Sequence, residues 1–518
     1  MSERNTQRLP EGWVIASLPE IAAINPATAR LTGDDATPVN FVPMRAVEPE
    51  GGGLANPEVR PYGEVKKGYT SFLSGDVIMA KITPCMENGK TTAVPDLPGK
   101  LCFGSTEFHV IRAEDGVQPK WISNFLLQHE VRRVAQRQMT GGVGQMRVPA
   151  SFLQGLQIPV APIAEQQRIS DALDELLSDL DAGVEALQRA QAKLALYRAS
   201  VLKAAVQGDL TAEWRKQHPD AEPASVLLQR ILVERRQRWE QEQVRKFKAA
   251  GKTPPANWKA KYKEPVAPDT TNLPELPKGW CWTTVEMLAP VTSGQTPSNM
   301  PMADEENSEM AWFRVADMNV EGNETWMTNG GLRLTHATWK QLGLKAIPAD
   351  SIVFPKRGGA IATNKKRRLR FSAGCDLNIM AVSPSGGIAN FLWTWFQTLN
   401  LAKLSDGSNV PQINNPDIAL LPVPLPPEKE QGIIVESVED QLSVIDHIEA
   451  DLRAKVRTAA SLRQSVYRHA FTGQLVPQDP KDEPAGELLK RIAAEREARK
   501  KIKATPRKQT AKRQKREE

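Results

Sequence analysis

Residues 159–166 read PVAPIAEQ and residues 424–431 read PLPPEKEQ, so two prolines and a Glu-Gln pair recur 265 positions apart. Proline interrupts preceding structure and is well tolerated in the first turn of a helix. Each segment leads into a long stretch of regularly spaced apolar residues. The chain is therefore built on an internal repeat, and the fold has to be worked out from it.

The repeat extends in both directions from these segments. Upstream, LPEGW at 9–13 recurs as LPKGW at 276–280, and downstream EPA at 222–224 recurs at 483–485. The residues within each half, such as 26–69 against 297–341, barely align. We interpret this as a shared frame with two different inserts of similar length. The two lobes would then perform the same kind of recognition on two different targets. At the 265-residue offset the frame keeps these identities: Leu177, Ser178, Asp181, Leu187, Arg198, Ser200, Val201, Ala205, Gly208 and Leu210.

Two long helices follow from the spacing of apolar residues. From Ile169 to Val201, and from Ile434 to Val466, these residues recur in steps of three and four over more than four heptads. Gly208 and Gly473 stand where a glycine would end each helix. Each helix is then roughly 60 Å long at 1.5 Å per residue.

A narrow apolar stripe of that length has to be covered, and the other copy is the obvious partner. We expect an antiparallel coiled coil with a pseudo-twofold axis, although each helix could instead pack on its own lobe or on another protein. The predicted contact residues are Leu173, Leu176, Leu180, Val184 and Leu187 in the first helix, and Val438, Leu442, Ile445, Leu452 and Val456 in the second.

The remaining sequence predicts two lobes of α/β (α+β) class. Strand-like runs occur at 75–82, 103–112, 312–316, 351–354 and 376–382, and helical runs at 121–138 and 391–403. The predicted domains are a first lobe at 1–163, a long helix at 164–208, a linker with a basic helix at 209–275, a second lobe at 276–428, a long helix at 429–473 and a basic tail at 474–518.

Composition agrees with several folded domains. The chain has 518 residues, of which 40% are hydrophobic and 25% charged, and its net charge is +6. No apolar stretch approaches the ~20 residues that cross a bilayer. Four cysteines without CxxC spacing and a polar amino terminus predict a reducing compartment, the cytoplasm. The histidines and cysteines show no metal-ligand spacing, so we expect no metal site.

Positive charge is concentrated in two segments. Residues 499–516 and 235–263 each contain ten Lys or Arg, with no acid in the first and only Glu240 and Glu242 in the second. Such runs are usually solvated faces or tails, and phosphate contact is the alternative.

Catalytic signatures are missing. NGKT at 88–91 resembles the end of a P-loop, but Pro84 stands where the first glycine is required. The sequence has no GxGxxG turn, no Asn/Asp-Pro-Pro-Tyr/Phe methyltransferase motif, no nuclease-like carboxylate set and no GxSxG elbow. We therefore predict no catalytic residue in this chain.

Each lobe closes with a small-residue loop that contains glutamine, TGGVGQMR at 140–147 and DGSNVPQ at 406–412. Glycine allows close backbone approach to phosphate, and Gln or Arg can bond base edges. An ordinary loop remains the alternative. The basic stretches 81–90 and 356–370 are further candidates for phosphate contact. The predicted DNA-binding residues are Lys81, Lys90, Gly142, Gly144, Gln145, Arg147, Lys356, Arg357, Lys365, Ser408, Asn409 and Gln412.

The order of these motifs resembles the specificity subunit of type I restriction-modification systems. GSTEFHV at 104–110 and the segment 75–81 are similar to parts of that family's target recognition domains, and 222–268 is similar to a linker found in a subset. The basic tail goes beyond the usual pattern.

The resemblance implies that each lobe reads one half of a split double-stranded DNA target, while the helices act as a ruler. It implies partners that carry the chemistry: methylation subunits, two in number, that use S-adenosylmethionine on adenine, and restriction subunits that translocate DNA with ATP and Mg²⁺. This chain would hold no cofactor and would not touch a membrane. A subunit that serves a methyltransferase alone, a scaffold without DNA function and a self-contained nuclease are the alternatives.

Overall fold

A computed structural model describes residues 9–28, 34–142, 144–384 and 386–504. The chain divides into two compact units. Unit 1 contains Met1–Gln188 and Arg453–Glu518, and unit 2 contains Arg189–Leu452. Each unit has a mixed lobe of strands and short helices, to which parts of two long helices belong.

The first lobe has four-stranded sheets in the orders β2-β9-β6-β7 and β4-β3-β8-β5, and β1 pairs antiparallel with β10. Its strands are β1 (Val14–Ser17), β2 (Ala22–Ile24), β3 (Pro38–Val42), β4 (Glu58–Pro61), β5 (Thr70–Leu73), β6 (Val77–Ala80), β7 (Thr91–Ala93), β8 (Leu101–Gly104), β9 (Phe108–Ala113) and β10 (Gln157–Val160). Its helices are α1 (Leu18–Ile21), α2 (Tyr62–Val65), α3 (Pro119–Leu127), α4 (His129–Arg137) and α5 (Ala150–Gly155).

Three helices follow the first lobe. The long helix α6 spans Ile163–Gln207, against a predicted 164–208, and is followed by α7 (Ala212–Gln217) and α8 (Ala224–Ala249). Gly208 comes directly after α6 with a φ of +80°, a left-handed conformation that glycine adopts without strain.

The second lobe repeats the plan with a five-stranded sheet, β12-β19-β16-β17-β14, a three-stranded sheet, β15-β13-β18, and the closing pair β11-β20. Its strands are β11 (Cys281–Thr284), β12 (Val291–Ser293), β13 (Met310–Phe313), β14 (Trp326–Met327), β15 (Leu332–Leu334), β16 (Ile352–Pro355), β17 (Arg367–Leu369), β18 (Gly374–Cys375), β19 (Ile379–Val382) and β20 (Pro422–Leu425). Its helices are α9 (Val285–Leu288), α10 (His336–Gln341), α11 (Ala389–Gln397) and α12 (Asn415–Ala419).

Two helices complete the described chain. The second long helix, α13, spans Glu428–Phe471, against a predicted 429–473, and α14 spans Ala485–Ala504. The basic tail beyond residue 504, which includes most of the predicted basic segment 499–516, lies outside the described residues.

The repeated motifs close each lobe onto the start of its long helix. In unit 1, the indole Nε1 of Trp13 donates to Glu165 Oε2 at 3.0 Å, and in unit 2 Trp280 donates to Glu430 Oε2 at 2.9 Å. The glutamine after each glutamate caps the preceding proline-rich turn, since its amide donates to Ala161 O in one copy and to Pro426 O in the other. The equal spacing of these residues in the two copies of the repeat therefore has a structural cause.

A helix after each long helix also packs on a lobe. Ala224 N donates to Gly279 O at 2.8 Å in unit 2, and Ala485 N donates to Gly12 O at 2.8 Å in unit 1. Arg235 of α8 donates to Glu286 O, and Arg496 of α14 donates to Pro19 O. The EPA repeat thus places α8 against α9 and α14 against α1 in the same way.

Within each unit, segments of both long helices contact each other. In unit 1 Arg463 pairs with Asp181, and in unit 2 Arg198 pairs with Asp446. Asp446 lies 265 residues after Asp181, and Arg463 lies 265 residues after Arg198, so the two ion pairs are equivalent contacts of the repeat. In unit 2, Arg198 of α6 pairs with Asp446, and Thr211 just after α6 donates to Glu430 near the start of α13, so residue numbers fall along one helix as they rise along the other. Unit 1 shows the same direction, since Asp181 pairs with Arg463 and Ile169 lies in the cluster of Phe471.

The apolar stripes are buried mainly near the lobes. Ile169 and Leu173 share a hydrophobic cluster with Phe471 and the first lobe, and Val201 shares one with Val438 and the second lobe. Among the predicted contact residues, Leu173, Val438, Ile445 and Leu452 are buried, and Leu180, Val184, Leu187, Leu442 and Val456 are half-buried.

One predicted contact residue lies elsewhere. Leu176 is 43% exposed, and Leu177 packs on the cluster instead. Leu177 is four residues after Leu173, so both lie on the same helix face, whereas the regular heptad stripe selected the neighbouring position.

Three local expectations need correction. The predicted helix 121–138 is two helices, α3 and α4, because Gln128 between them has an extended ψ of 132°. The predicted helix 391–403 ends at Gln397, and a 3₁₀ turn at Leu401–Leu404 follows it. The predicted strand 103–112 is divided between β8 and β9 by a turn.

No helix in the described ranges is both long and apolar enough to cross a membrane. The same residues contain no group of three or more His, Cys, Asp or Glu side chains that could hold a metal ion.

The two equivalent buried glutamates differ in their partners. Glu430 also accepts from Thr211 Oγ1 at 2.6 Å and pairs with Arg215, whereas Glu165 Oε1 is buried without a hydrogen bond of normal geometry. Burial raises the pKa of Glu165. A carboxyl whose folded pKa exceeds its unfolded pKa loses its stabilising effect as the pH rises through that range.

We predict opposite effects of the same substitution at these two positions. Glu430→Gln should lower the local stability of unit 2 by about 2 kcal/mol, because Arg215 loses its charged partner. Glu165→Gln keeps an oxygen for Trp13 and removes a poorly solvated charge, so it should be neutral or stabilising at pH 7 and above. Hydrogen exchange of the amides at 164–172 and 429–437 measures both effects. Equal destabilisation at the two sites would contradict this account.

Candidate nucleic-acid interface

In the first lobe, three segments distant in sequence meet at the end of β6. Lys81 N donates to Glu107 O at 2.9 Å, and Val148 N donates to Lys81 O at 2.8 Å. Arg147 forms an isolated bridge with Ile82 and another with Thr140. The loop at 140–147 is thereby held beside Lys81 and Glu107, so the structure brings together three of the predicted residues, Lys81, Gln145 and Arg147.

Arg147 is oriented by a carboxylate. Its Nε and Nη2 donate to the two oxygens of Glu107, both at 2.9 Å, and its Nη1 donates to Gln145 O at 3.1 Å. This bidentate pairing lowers the pKa of Glu107. A guanidinium has five N–H donors, so one on Nη1 and one on Nη2 remain for another acceptor. Those two donors form the kind of fork that can bond both acceptors of a guanine edge.

The loop itself is open and exposed. Gly144 has a φ of +82°, and a side chain on Gly142 or Gly144 would meet no neighbouring atom within 4 Å. Gln145 is exposed. Beneath the loop, His109 Nε2 lies 2.8 Å from Val148 O and so carries the proton, while Nδ1 accepts from Asn25 Nδ2 at 3.2 Å. Burial lowers the pKa of His109.

The second lobe has the same three-segment arrangement at the end of β16. Lys356 N donates to Asn378 O at 2.8 Å, and Ile413 N donates to Lys356 O at 2.9 Å. Arg357 bridges to Gln412, and Lys356 Nζ donates to Ser293 Oγ at 3.0 Å. The predicted residues Lys356, Arg357 and Gln412 therefore lie together.

Asp406 organises the loop of the second lobe. Its Oδ1 accepts from Ser408 Oγ at 2.9 Å and from Gln412 N at 3.1 Å. These hydrogen bonds lower the pKa of Asp406, and the bond from the Ser408 hydroxyl has the largest effect. Asn409 is exposed at the tip, and the amide of Gln412 donates to Asn414 Oδ1 at 2.8 Å.

The two glutamines are not counterparts. The bridge from Arg357 to Gln412 corresponds to the bridge from Ile82 to Arg147, so Gln412 occupies the place of Arg147. The sequence alone shows only that each loop contains a glutamine, because the loops differ in length and the pairing with the neighbouring segment is what fixes the register.

Several cations of the predicted basic stretches have structural partners. Lys90 donates to Met44 O at 3.1 Å, and Lys365 donates to Asn319 Oδ1. Lys366 is buried, where desolvation lowers its pKa to about 8, and it donates to Leu399 O at 2.7 Å. Arg368 pairs with Asp350 at 2.9 Å and lies over the Trp326 ring. These side chains hold their lobes together, so they are poorer phosphate contacts than their density in the sequence indicates.

Sequence reasoning missed two members of the arrangement as site residues, Glu107 and Asn378. Glu107 lies in GSTEFHV, and the turn that this segment forms before β9 was the one signal that could have pointed to it. Nothing in the sequence indicates that Glu107 contacts Arg147. Both clusters offer donors to base edges and phosphates.

The chain matches known proteins over most of its length. The family model for the type I restriction modification DNA specificity domain matches twice, at residues 10–188 and 277–458. The type I restriction enzyme EcoEI specificity subunit of Escherichia coli is 27% identical over 524 residues, covering 88% of this chain and 82% of that protein. The EcoAI specificity subunit of the same species is 25% identical over 528 residues, covering 90% and 83%.

A solved structure shares the fold. A chain from a study of complex assembly and conformational transition of the type I R-M system has a TM-score of 0.66 and 19% identity, covering 90% of this chain and 99% of that chain. The twofold match of the family model agrees with the internal repeat and with the two lobes described above.

Proposed function

Because the chain belongs to the type I restriction-modification DNA specificity family and is a specificity subunit that recognises DNA, we propose that its two lobes read the two halves of a split target. The observation that carries this proposal is the recurrence of one three-segment cluster with different side chains. Lys81, Glu107 and Arg147 in the first lobe correspond to Lys356, Asn378 and Gln412 in the second. The same backbone arrangement thus presents an arginine fork in one lobe and an amide in the other.

Different side chains in one arrangement favour different base edges. Arginine pairs best with guanine, whereas glutamine pairs with adenine through one donor and one acceptor. The lysine at the end of β6 or β16 is suited to phosphate, which positions the lobe without specifying sequence.

We propose further that α6 and α13 form an antiparallel coiled coil with a pseudo-twofold axis, which sets the spacer between the half-sites. The support is the reciprocal pair, Arg198 with Asp446 and Arg463 with Asp181, since an antiparallel arrangement of two equivalent helices requires each contact to occur twice. The exposed stripe residues, such as Tyr197 and its equivalent Leu462, are suited to docking the methylation subunits, one for each copy of the frame.

In this proposal the chemistry belongs to partners in the cytoplasm. S-adenosylmethionine is carried by two methylation subunits, and ATP and Mg²⁺ by restriction subunits, while this chain supplies recognition only. A complex that contains methylation subunits alone is the alternative, and a scaffold without DNA function would leave the two lobe clusters unexplained.

The first prediction concerns the independence of the lobes. Replacing residues 10–160 with the corresponding lobe of another specificity subunit should change one half of the target and leave the other half unchanged, because β1, β10 and the Trp13–Glu165 contact belong to the shared frame. Mapping methylated adenines in cells with the partner subunits measures both halves. A change in both halves together would contradict the proposal.

The second prediction concerns the arginine fork. Arg147→Ala should reduce discrimination at a single base pair of one half-site by about 1 to 3 kcal/mol, and Gln412→Ala should do so in the other half-site. Arg133→Ala, which removes an exposed, carboxylate-paired arginine of α4 in the same lobe, serves as the matched control. Methylation rates on cognate and single-mismatch duplexes measure discrimination, and equal effects of Arg133→Ala and Arg147→Ala would rule out a specific role for the fork.

A further inference from the structure

The linker at 222–268, called here the linker module, folds back on the second lobe. Trp239 of α8 stacks near Trp258 and Tyr262 of the returning segment, with ring centroids 5.8 and 5.3 Å away. Val266 N donates to Glu286 Oε1 at 2.6 Å, and Thr284 Oγ1 donates to Val266 O at 2.8 Å. The module is therefore an ordered part of unit 2, and its surface residues have defined places.

The cations of the linker module differ in their partners. Arg236, Lys246 and Lys259 form ion pairs with glutamates of the module. Arg245, Lys248, Lys261 and Lys263, like Lys252, are exposed and make no ion pair or side-chain hydrogen bond with any residue that the structure describes. These side chains leave positive charge on the surface of the module that no neighbouring carboxylate neutralises.

Two of the unpaired cations lie near the candidate interface of the second lobe. Lys261 and Lys263 line a cavity of about 430 Å³ together with Glu234, Glu242, Met287 and Pro290, and Arg238, which has a partner of its own, also lines it. Arg245 lies two turns beyond Arg238 on the same face of α8. Pro290 is followed by β12, where Ser293 accepts from Lys356 Nζ. Three residues of extended chain span roughly 10 Å, which is about half the width of a DNA duplex.

We propose that Arg245, Lys248, Lys261 and Lys263 bind backbone phosphates of the DNA that flanks the second half-site, without regard to its sequence. The inference rests on the proposed function, because it requires a duplex seated on Lys356 and Gln412. Phosphate is the favoured partner because exposed, unpaired Lys and Arg next to a recognition cluster are typical of backbone positioning. An acidic surface of a protein partner is the competing occupant, and the experiment separates the two.

The test uses the full chain assembled with its methylation subunits. The variant Lys261→Gln/Lys263→Gln removes two unpaired cations, and Lys246→Gln/Lys259→Gln is a matched control that removes the same charge from paired lysines of the same module. Binding is measured by fluorescence anisotropy against salt, on duplexes that carry the target with a flank of either 4 or 20 base pairs beyond the second half-site.

For the long flank, the test variant should bind about ten-fold more weakly at 0.1 M salt and lower the slope of log K against log salt by about two, since each phosphate contact contributes about 0.9. The matched control should shift both quantities much less, and the short flank should abolish the difference.

Three outcomes would overturn the inference. Equal losses in both variants would show a general effect of net charge. Unchanged binding with target specificity intact would show that the flank is not contacted, while the proposed function stands. Loss of assembly with the methylation subunits in the absence of DNA, measured by light scattering, would assign the cations to a protein partner. Absence of any specific binding by the wild type would instead reject the proposed function.

Discussion

The pairing of Arg198 with Asp446 recurs as the pairing of Arg463 with Asp181, and this repeated contact is the constraint on which the rest of the structure depends. Exposed ion pairs contribute little stability, typically below 1 kcal/mol. Within each unit the pair fixes the direction and register of the two helix segments that meet there, because a shift of one turn would break it. The apolar stripes supply most of the burial near the lobes, whereas the charged pairs specify which residues face each other.

A buried polar contact fixes the position of each lobe on its long helix. Trp13 reaches Glu165, and Trp280 reaches Glu430, at the first turn of each long helix. A buried carboxylate is tolerated only where donors meet it, so the indole fixes where the lobe joins the helix. The lobe interior is then free to diverge, since its strands pair among themselves and two backbone hydrogen bonds within each lobe hold the three segments of its recognition cluster together.

The sequence predicted the repeated frame more completely than the two recognition clusters. The ends of α6 and α13 are marked by local signals: a proline before each helix, a glycine after it and regularly spaced apolar residues between. Both helices begin and end within two residues of the predicted positions. For the lobes the sequence predicted the class and several strands and helices but not the strand order, because the sheets join strands far apart in the chain.

The recognition cluster shows the same limit in detail. Lys81, Glu107 and Arg147 are brought together by non-local pairing that no spacing rule shows. Charge density was misleading for Lys366 and Arg368, since the sequence cannot show that Leu399 O and Asp350 already bind them.

The central claim is that the paired helices set the distance between two independently read half-sites. Inserting one heptad between Arg189 and Ala190, together with one between Ala454 and Lys455, keeps the apolar seam and lengthens the helix pair by about 10 Å. Methylated-adenine mapping with this variant should show both half-site sequences unchanged and a spacer longer by about one to three base pairs, at ~3.4 Å per base pair. An assembled, active variant with an unchanged spacer would contradict the account.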